Sequence, residues 1–298
     1  MKKAEYGRER TAEDGCRRYL PHAISFNTQA RLLTDEISPD WDPEIIAQHE
    51  ENRRIARVRL IHQFGNDEHE RKIHDYGAVG VAPWSVVDQH NLFMAQIRDA
   101  FTFGAYYPAL VGACALGERL LNEIVIRLRD SYYGHPATTT VATQKTFTDW
   151  AACIEALFEW GVIDDALATK FNELRKLRNR SVHYGKHLVG SDARDDALQA
   201  VLLVQEIVQG LFTPHGGPPR FLAGVSGHSF LALASEDEPF IREFILPASL
   251  LLSPNFRMEF NDSRGWFDVF DDDTYQDEFP TLTDKEFADH RQRPRRTS

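Results

Sequence analysis

The chain has 298 residues and a formal net charge of −11, and 42% of its residues are hydrophobic and 27% charged. This length and composition support one large or several small globular domains and exclude a wholly disordered chain. The acidic balance excludes a protein that coats DNA or RNA through bulk charge, since such binding requires many lysines and arginines, so any contact with nucleic acid is expected to be local.

The cysteines and the first residues indicate a reducing environment. Cys16, Cys114 and Cys153 are odd in number and far apart, which fits neither a disulfide framework nor a thiolate metal site. The first residues are highly charged and are not followed by the apolar segment of a secretory signal. We therefore predict a cytoplasmic protein.

The N-terminal part, residues 1–83, is predicted to be a polar segment with one helix. Asp42 and Pro43 are typical of a helix start, and helical spacing of apolar residues extends to Phe64. Residues 65–83 contain Gly, Asn and Pro and are predicted to form a loop.

Residues 84–213 predict a five-helix bundle, because apolar residues recur at helical spacing and glycines and prolines separate the segments. The predicted helices cover residues 86–104, 108–133, 147–161, 164–185 and 192–212. Residues 100–117 carry no charged residue over 18 positions, close to the shortest membrane span. They contain three glycines and a proline and continue into an amphipathic pattern, so we predict a buried helix pair and no contact with a membrane.

The pattern changes after a linker of prolines and glycines at residues 213–219. Residues 219–270 contain short apolar runs separated by Gly, Pro, Asn and Asp, which is typical of a small antiparallel β-module. Residues 271–298 are first acidic and then basic and are predicted to be a mobile tail. The predicted fold class is mainly α, with a helical bundle, a small C-terminal β-module and a polar, partly helical N-terminal segment.

Two polar clusters are weak candidates for metal binding. His62, His69 and His74 have no compact ligand spacing, and solvated loop histidines are the favoured interpretation. The run Asp271–Asp273 is more typical of an exposed acidic loop than of a cation site. We therefore expect neither a metal ion nor a cofactor.

The most informative segment is residues 170–187, with six basic residues and one acidic residue, a local charge of +5. Helical spacing places one group of its residues on an inward-facing stripe and a second group together on the adjacent side. The inward group is Phe171, Leu174, Leu177 and Ser181, and the second group is Arg175, Arg178, Asn179 and His183. Arginine binds phosphate through two N–H groups, and imidazole exchanges protons near neutral pH, so these groups suit metal-free phosphodiester cleavage.

Residues 178–183, with the sequence RNRSVH, resemble the R-N-x-x-x-H motif of the HEPN superfamily. HEPN domains are all-helical and occur in prokaryotic toxins and defence proteins, and the resemblance covers roughly residues 85–212. Many members are metal-independent endoribonucleases that dimerise so that two motifs form one cleft. The resemblance thus implies RNA as substrate, a homodimer, and an antitoxin or other regulatory protein as a further partner.

The resemblance also implies roles for individual residues. Arg178 would bind the scissile phosphate, and Asn179 would orient a reacting group. His183 would act as general acid or base during attack by the RNA 2′-hydroxyl, leaving a 2′,3′-cyclic phosphate. Further residues are expected to bind RNA (Arg175, Arg180 and Lys186) or to supply a supporting carboxylate (Glu118 or Glu123).

The sequence leaves two alternatives to an endoribonuclease open. The family includes members without cleavage activity, which serve as nucleotide-binding, protein-binding or dimerisation modules. The short motif also has a purely structural interpretation, in which Arg178 pairs with an acidic residue of a neighbouring helix and His183 marks a helix end.

Overall fold

The computed structural model describes most of the chain. The described residues are 1–21, 29–83, 85–142, 149–182, 193–212, 220–222, 225 and 229–292, without the side chain of Val182. The chain is mainly helical and has a small antiparallel sheet near its C-terminus, as predicted.

The chain divides into two compact units that differ from the predicted domains. A helical unit comprises Ser25–Leu211, and a terminal unit combines Met1–Ile24 with Phe212–Ser298. The predicted boundary at residue 83 has no counterpart, because strands from the start of the chain pair with strands from its end. Local sequence patterns do not predict pairing between segments that are so far apart in the chain.

The helical unit is built from consecutive α-helices. They are α1 (Gln29–Thr34), α2 (Pro43–Phe64), α3 (His69–Ala78), α4 (Asp88–Thr102), α5 (Tyr106–Leu128), α6 (Thr138–Val141), α7 (Trp150–Glu159), α8 (Asp165–Val182) and α9 (Ala193–Phe212). Helix α5 packs against α4, α7 and α8 and is the central element of this unit. A bundle is therefore present, and its specific HEPN arrangement stays a prediction.

Helix α2 begins and ends where the sequence predicts. Asp42 caps its first turn, since a carboxylate oxygen accepts a hydrogen bond from the Glu44 N–H at 3.0 Å, and Pro43 is the first helical residue. Gly65, with a φ of 84°, ends the helix and donates its N–H to the Ile61 carbonyl.

The prediction of a loop over residues 65–83 is wrong, because α3 lies within it. Its Ile73 and Tyr76 are buried against Leu60 and Phe64 of α2. The glycine and asparagine at the start of this segment therefore mark a short turn between two packed helices.

Asp75 of α3 is fully buried and joins three helices. Its carboxylate accepts hydrogen bonds from Arg71 at 2.9 Å, from the Tyr106 hydroxyl at 2.8 Å and from Arg194 at 2.9 Å. Tyr106 is the first residue of α5 and Arg194 lies in the first turn of α9. Because a buried carboxylate is stabilised only when it is paired, this cluster fixes the start of both helices.

The three histidines expected in a loop lie on helices instead, His62 on α2 and His69 and His74 on α3. His74 is mostly exposed and accepts a hydrogen bond from Arg194 at 3.2 Å. Among the described residues, no group of three His, Cys, Asp or Glu side chains is placed to hold a metal ion.

Residues 100–117 form the predicted buried helix pair. Helices α4 and α5 meet at Gly104, whose φ of 83° turns the chain sharply. Phe101 on α4 and Ala109 and Ala113 on α5 are completely buried. In the part of the chain that the structure describes, no helix combines the length and the apolar character that a membrane crossing requires.

The described residues of the terminal unit form two small antiparallel sheets. Its elements are β1 (Lys2–Lys3), β2 (Arg18–Pro21), β3 (Ser249–Leu252), β4 (Arg257–Asn261), β5 (Trp266–Asp271), α10 (Tyr275–Glu278) and α11 (Asp284–Gln292). The strand orders are β1-β5-β4 and β2-β3. The predicted β-module is thus present, and each of its sheets is completed by an N-terminal strand.

Part of the predicted β-module is helical. Residues Ile241–Ile245 form a π-helical turn and Leu246–Ala248 a 3₁₀ turn. Phe240, Ile241 and Phe244 are all buried, a spacing that suits one face of a helix and not an alternating strand.

The C-terminal tail was predicted to be mobile, but its described part, residues 271–292, belongs to the core of the terminal unit. Phe287 of α11 is completely buried and packs on Phe230 with ring centroids 4.8 Å apart. The fully buried Arg18 donates a hydrogen bond to Asp284 at 2.6 Å, at the start of α11. Residues 293–298 lie outside the described residues.

The first residue of the predicted exposed acidic loop, Asp271, is buried at the end of β5. It accepts hydrogen bonds from the Ser253 hydroxyl and from Arg17, both at 2.7 Å. The carboxylate therefore satisfies buried donors of the protein itself.

His90 makes the stability of the chain depend on pH. It is buried on α4, with its Nδ1 3.1 Å from the Ser85 hydroxyl. Burial lowers the pKa of His90 from 6.5 to about 4, and the charge of Arg119 acts in the same direction. Because the unfolded chain binds the extra proton at higher pH, this histidine's contribution is complete above about pH 6.5 and is lost as pH falls towards 4.

We predict that His90→Gln removes this dependence. Relative to the variant, the wild-type chain should lose up to about 1.4 kcal/mol of unfolding free energy per pH unit between these two pKa values. Urea denaturation of both proteins, repeated at several pH values across this range, measures the difference. A difference that stays constant with pH would contradict the prediction.

Candidate functional site

The inward-facing stripe of α8 is confirmed. Phe171, Leu174, Leu177 and Ser181 are all buried, and the Ser181 hydroxyl donates a hydrogen bond to the Arg178 carbonyl at 3.1 Å. This packing fixes the rotation of α8 about its axis, so the side chains at positions 175, 178 and 179 lie beside the buried stripe.

Helix α5 crosses α7 and α8 at very short distance. A Cβ atom on Gly117 would lie 2.5 Å from Leu174 Cδ2 and 3.2 Å from Trp150 Cη2, so no larger residue fits without displacement. Leu174 precedes Arg178 by one helical turn, and Gly117 directly precedes Glu118. The apolar contact therefore brings two charged residues from separate helices together.

Arg178 forms an ion pair with Glu118 at this crossing. Arg178 Nη2 lies 3.3 Å from Glu118 Oε2, and the Trp150 indole N–H donates to the same oxygen at 3.2 Å. The side chains of Arg178 and Glu118 are 23% and 25% exposed, so the pair is partly open to solvent. Of the two glutamates predicted to support the site, Glu118 is the one in contact with Arg178.

Glu123, the other predicted glutamate, lies elsewhere. It is five residues from Glu118 and therefore about 140° further around α5. It lies 3.9 Å from Arg119 and 3.7 Å from Arg127 on the same helix.

The motif residues are only partly described. Arg178 Nη1 donates to Asn179 Oδ1 at 3.3 Å, and Asn179 is exposed at the edge of the pair. His183 and Lys186, predicted as the acid–base group and as an RNA ligand, lie outside the described residues. Among the described residues, α8 extends to Val182.

The basic character of this segment is partly neutralised in the folded chain. Arg180 forms an ion pair with Asp196 of α9, and Lys170 forms one with Glu206 of the same helix. Arg175 is half-buried and lines a groove of about 300 Å³ between α7 and α8. Part of the +5 charge of the sequence is thus offset by acidic residues that are distant in the chain.

Cys114 lies one turn before Glu118 on the buried side of α5. Burial raises the pKa of its thiol to about 12, although the charge of Arg178 acts in the opposite direction. A thiol with this pKa is protonated at neutral pH and is a poor nucleophile. The Cys114 thiol is therefore not a nucleophile of this site at neutral pH.

Trp150 is the site residue that the sequence did not indicate. Asp149 caps α7 by accepting the Ala151 N–H at 2.7 Å, which places Trp150 in the first turn. The sequence shows a cap residue followed by tryptophan. It does not show which residue accepts the indole N–H, because Glu118 lies 32 positions earlier.

No family model, curated protein or solved structure matches this chain. The resemblance of residues 178–183 to the HEPN motif therefore stays a prediction from the motif and its position late in a packed helix.

We predict that Gly117→Ala lowers the free energy of unfolding by about 1–3 kcal/mol, because the new methyl group clashes with two buried side chains. The matched control is Gly77→Ala on α3, where a Cβ atom meets only the exposed Thr34 methyl at 3.3 Å. The control should be neutral or stabilising, since alanine favours helix by about 1 kcal/mol. Urea denaturation of both variants checks this, and equal effects would contradict the close crossing.

Proposed function

We propose that this protein is a metal-independent endoribonuclease of HEPN type. The observation that carries the proposal is the partly exposed Arg178, which contacts Glu118 and Asn179 on the described part of α8. Support for the reaction type comes from the motif itself, which combines a phosphate ligand and a proton-transfer group within six residues.

In the proposed reaction, Arg178 binds the scissile phosphate. An arginine side chain has five N–H donors, and among the described residues Arg178 directs one terminal nitrogen to Glu118 and the other to Asn179. In the proposal, its Nε–H and a further N–H group would contact two phosphate oxygens. The fixed positive charge would stabilise the negative charge that develops on those oxygens in the transition state.

His183 supplies proton transfer in this proposal. The RNA 2′-hydroxyl attacks phosphorus and loses its proton to a general base, while the bond from phosphorus to the 5′-oxygen breaks and that oxygen takes a proton from a general acid. The products are a 2′,3′-cyclic phosphate and a 5′-hydroxyl. The proposed enzyme is a cytoplasmic homodimer with two motifs in one cleft, and its role is that of a prokaryotic defence or toxin effector controlled by an antitoxin or another regulatory protein.

The test is cleavage of single-stranded and structured RNA in EDTA. We expect His183→Ala to lower the rate by about 10²–10⁴-fold, because it removes the proton-transfer group. Arg178→Ala should cause a loss of similar size, because it removes the charge at the phosphate. The matched control is Arg54→Ala, which removes an exposed arginine that pairs with Glu51 at 2.7 Å on α2.

The control should keep wild-type activity. If the wild-type protein cleaves no RNA, or if all three variants cleave as it does, the enzymatic proposal is wrong. Activity in a strictly monomeric protein would contradict the shared cleft.

A second candidate function, a non-catalytic binding or dimerisation module, is favoured by one observation. Arg178 already forms an ion pair with Glu118 of a neighbouring helix, as the structural interpretation of the motif predicts, and Arg180 forms one with Asp196. Under this alternative, the wild-type protein leaves RNA intact, and Arg178→Ala changes the molar mass measured by light scattering. Under the enzymatic proposal, the wild-type protein cleaves RNA and Arg178→Ala does not.

A further inference from the structure

The indole N–H of Trp150 is buried and has a charged acceptor. Trp150 is 3% exposed, and its N–H donates to Glu118 Oε2 at 3.2 Å. A buried indole N–H needs an acceptor, and a carboxylate is a strong one because the hydrogen bond is charge-assisted. The tryptophan therefore constrains where the carboxylate of Glu118 can lie.

Trp150 is itself held rigidly by its surroundings. The Asp149 cap fixes the first turn of α7, and the six-membered ring of the indole lies against the position where Gly117 lacks a side chain. The cap is exposed at the start of α7, whereas the contact of the indole ring with Gly117 is buried packing. The position of the indole N–H is thus set independently of Arg178.

The same oxygen of Glu118 receives both donors. Glu118 Oε2 lies 3.2 Å from Trp150 Nε1 and 3.3 Å from Arg178 Nη2. An isolated ion pair between partly exposed side chains is weak and variable in geometry. A second, buried donor reduces that freedom, because it orients the carboxylate independently of the guanidinium.

We propose that Trp150 is a positioning residue, whose indole N–H holds Glu118 and through it orients Arg178 towards the RNA phosphate. This inference rests on the proposed function, since it assigns a role in the same site. Glu118 is the intermediate residue, since it contacts both Trp150 and Arg178. The ring of Trp150 contributes to packing, and its N–H contributes to the orientation of Arg178.

The test separates the N–H group from the ring. Trp150 is replaced by its benzothienyl isostere, in which sulfur takes the place of the N–H group, and Trp150→Phe serves as the genetically simpler variant. The matched control is Trp160→Phe at the end of α7, whose indole N–H also donates at 3.2 Å, to Thr138, away from the Glu118–Arg178 pair. Activity is measured as kcat and KM for RNA cleavage, with the thermal midpoint recorded for each protein.

We expect the isostere to lower kcat about tenfold with little change in KM, because a misoriented arginine weakens the transition state more than RNA binding. The Trp160→Phe variant should keep the wild-type kcat even if its thermal midpoint falls. Wild-type kcat in the folded isostere protein would overturn the inference and leave the proposed function intact. An inactive wild-type protein would overturn both, and an equal fall of kcat in the control would assign the effect to packing alone.

Discussion

The close crossing of α5 with α7 and α8 at Gly117 is the constraint on which the candidate site depends. Because position 117 has no Cβ atom, the buried side chains of Leu174 and Trp150 fill that space. The next residue, Glu118, is then brought to Arg178, one turn beyond Leu174. An apolar contact thus determines a polar one. The start of α5 is fixed separately, by the bond from its first residue to buried Asp75.

Sequence patterns predicted the local part of this arrangement. The apolar spacing of α8 gave the correct inward stripe, and Asp42 with Pro43 gave the start of α2. Helix α3 was missed because its turn residues resemble those of a loop, while its burial depends on contacts with α2. The partner of Trp150 was missed for the same physical reason, since the acceptor lies on another helix.

The terminal unit shows the limit of local patterns more strongly. Two-residue β1 and four-residue β2 carry little strand signal of their own, and each is defined by pairing with a strand near the opposite end of the chain. Likewise, Phe287 belongs to the core because Phe230 and its neighbours leave space for it, which no property of residues 271–298 alone reveals. Non-local pairing, and not helix or strand propensity, decides this part of the fold.

Basic residues that form a positively charged segment in the sequence are partly paired with acidic residues in the folded chain. The acidic partners of Lys170, Arg178 and Arg180 come from three distant positions and offset much of the basic segment. Net attraction for RNA is therefore expected to be weak and short-ranged, so recognition would depend on directed contacts of Arg178 and its neighbours.

The proposed site would cleave RNA by attack of the 2′-hydroxyl. The most direct measurement is cleavage of an RNA with a single 2′-deoxy nucleotide at the cleaved position, together with mass analysis of the products from the unmodified RNA. We expect no cleavage at the modified position and a 2′,3′-cyclic phosphate end from the unmodified RNA. Cleavage at the 2′-deoxy nucleotide, or a product with a free 3′-hydroxyl, would contradict it.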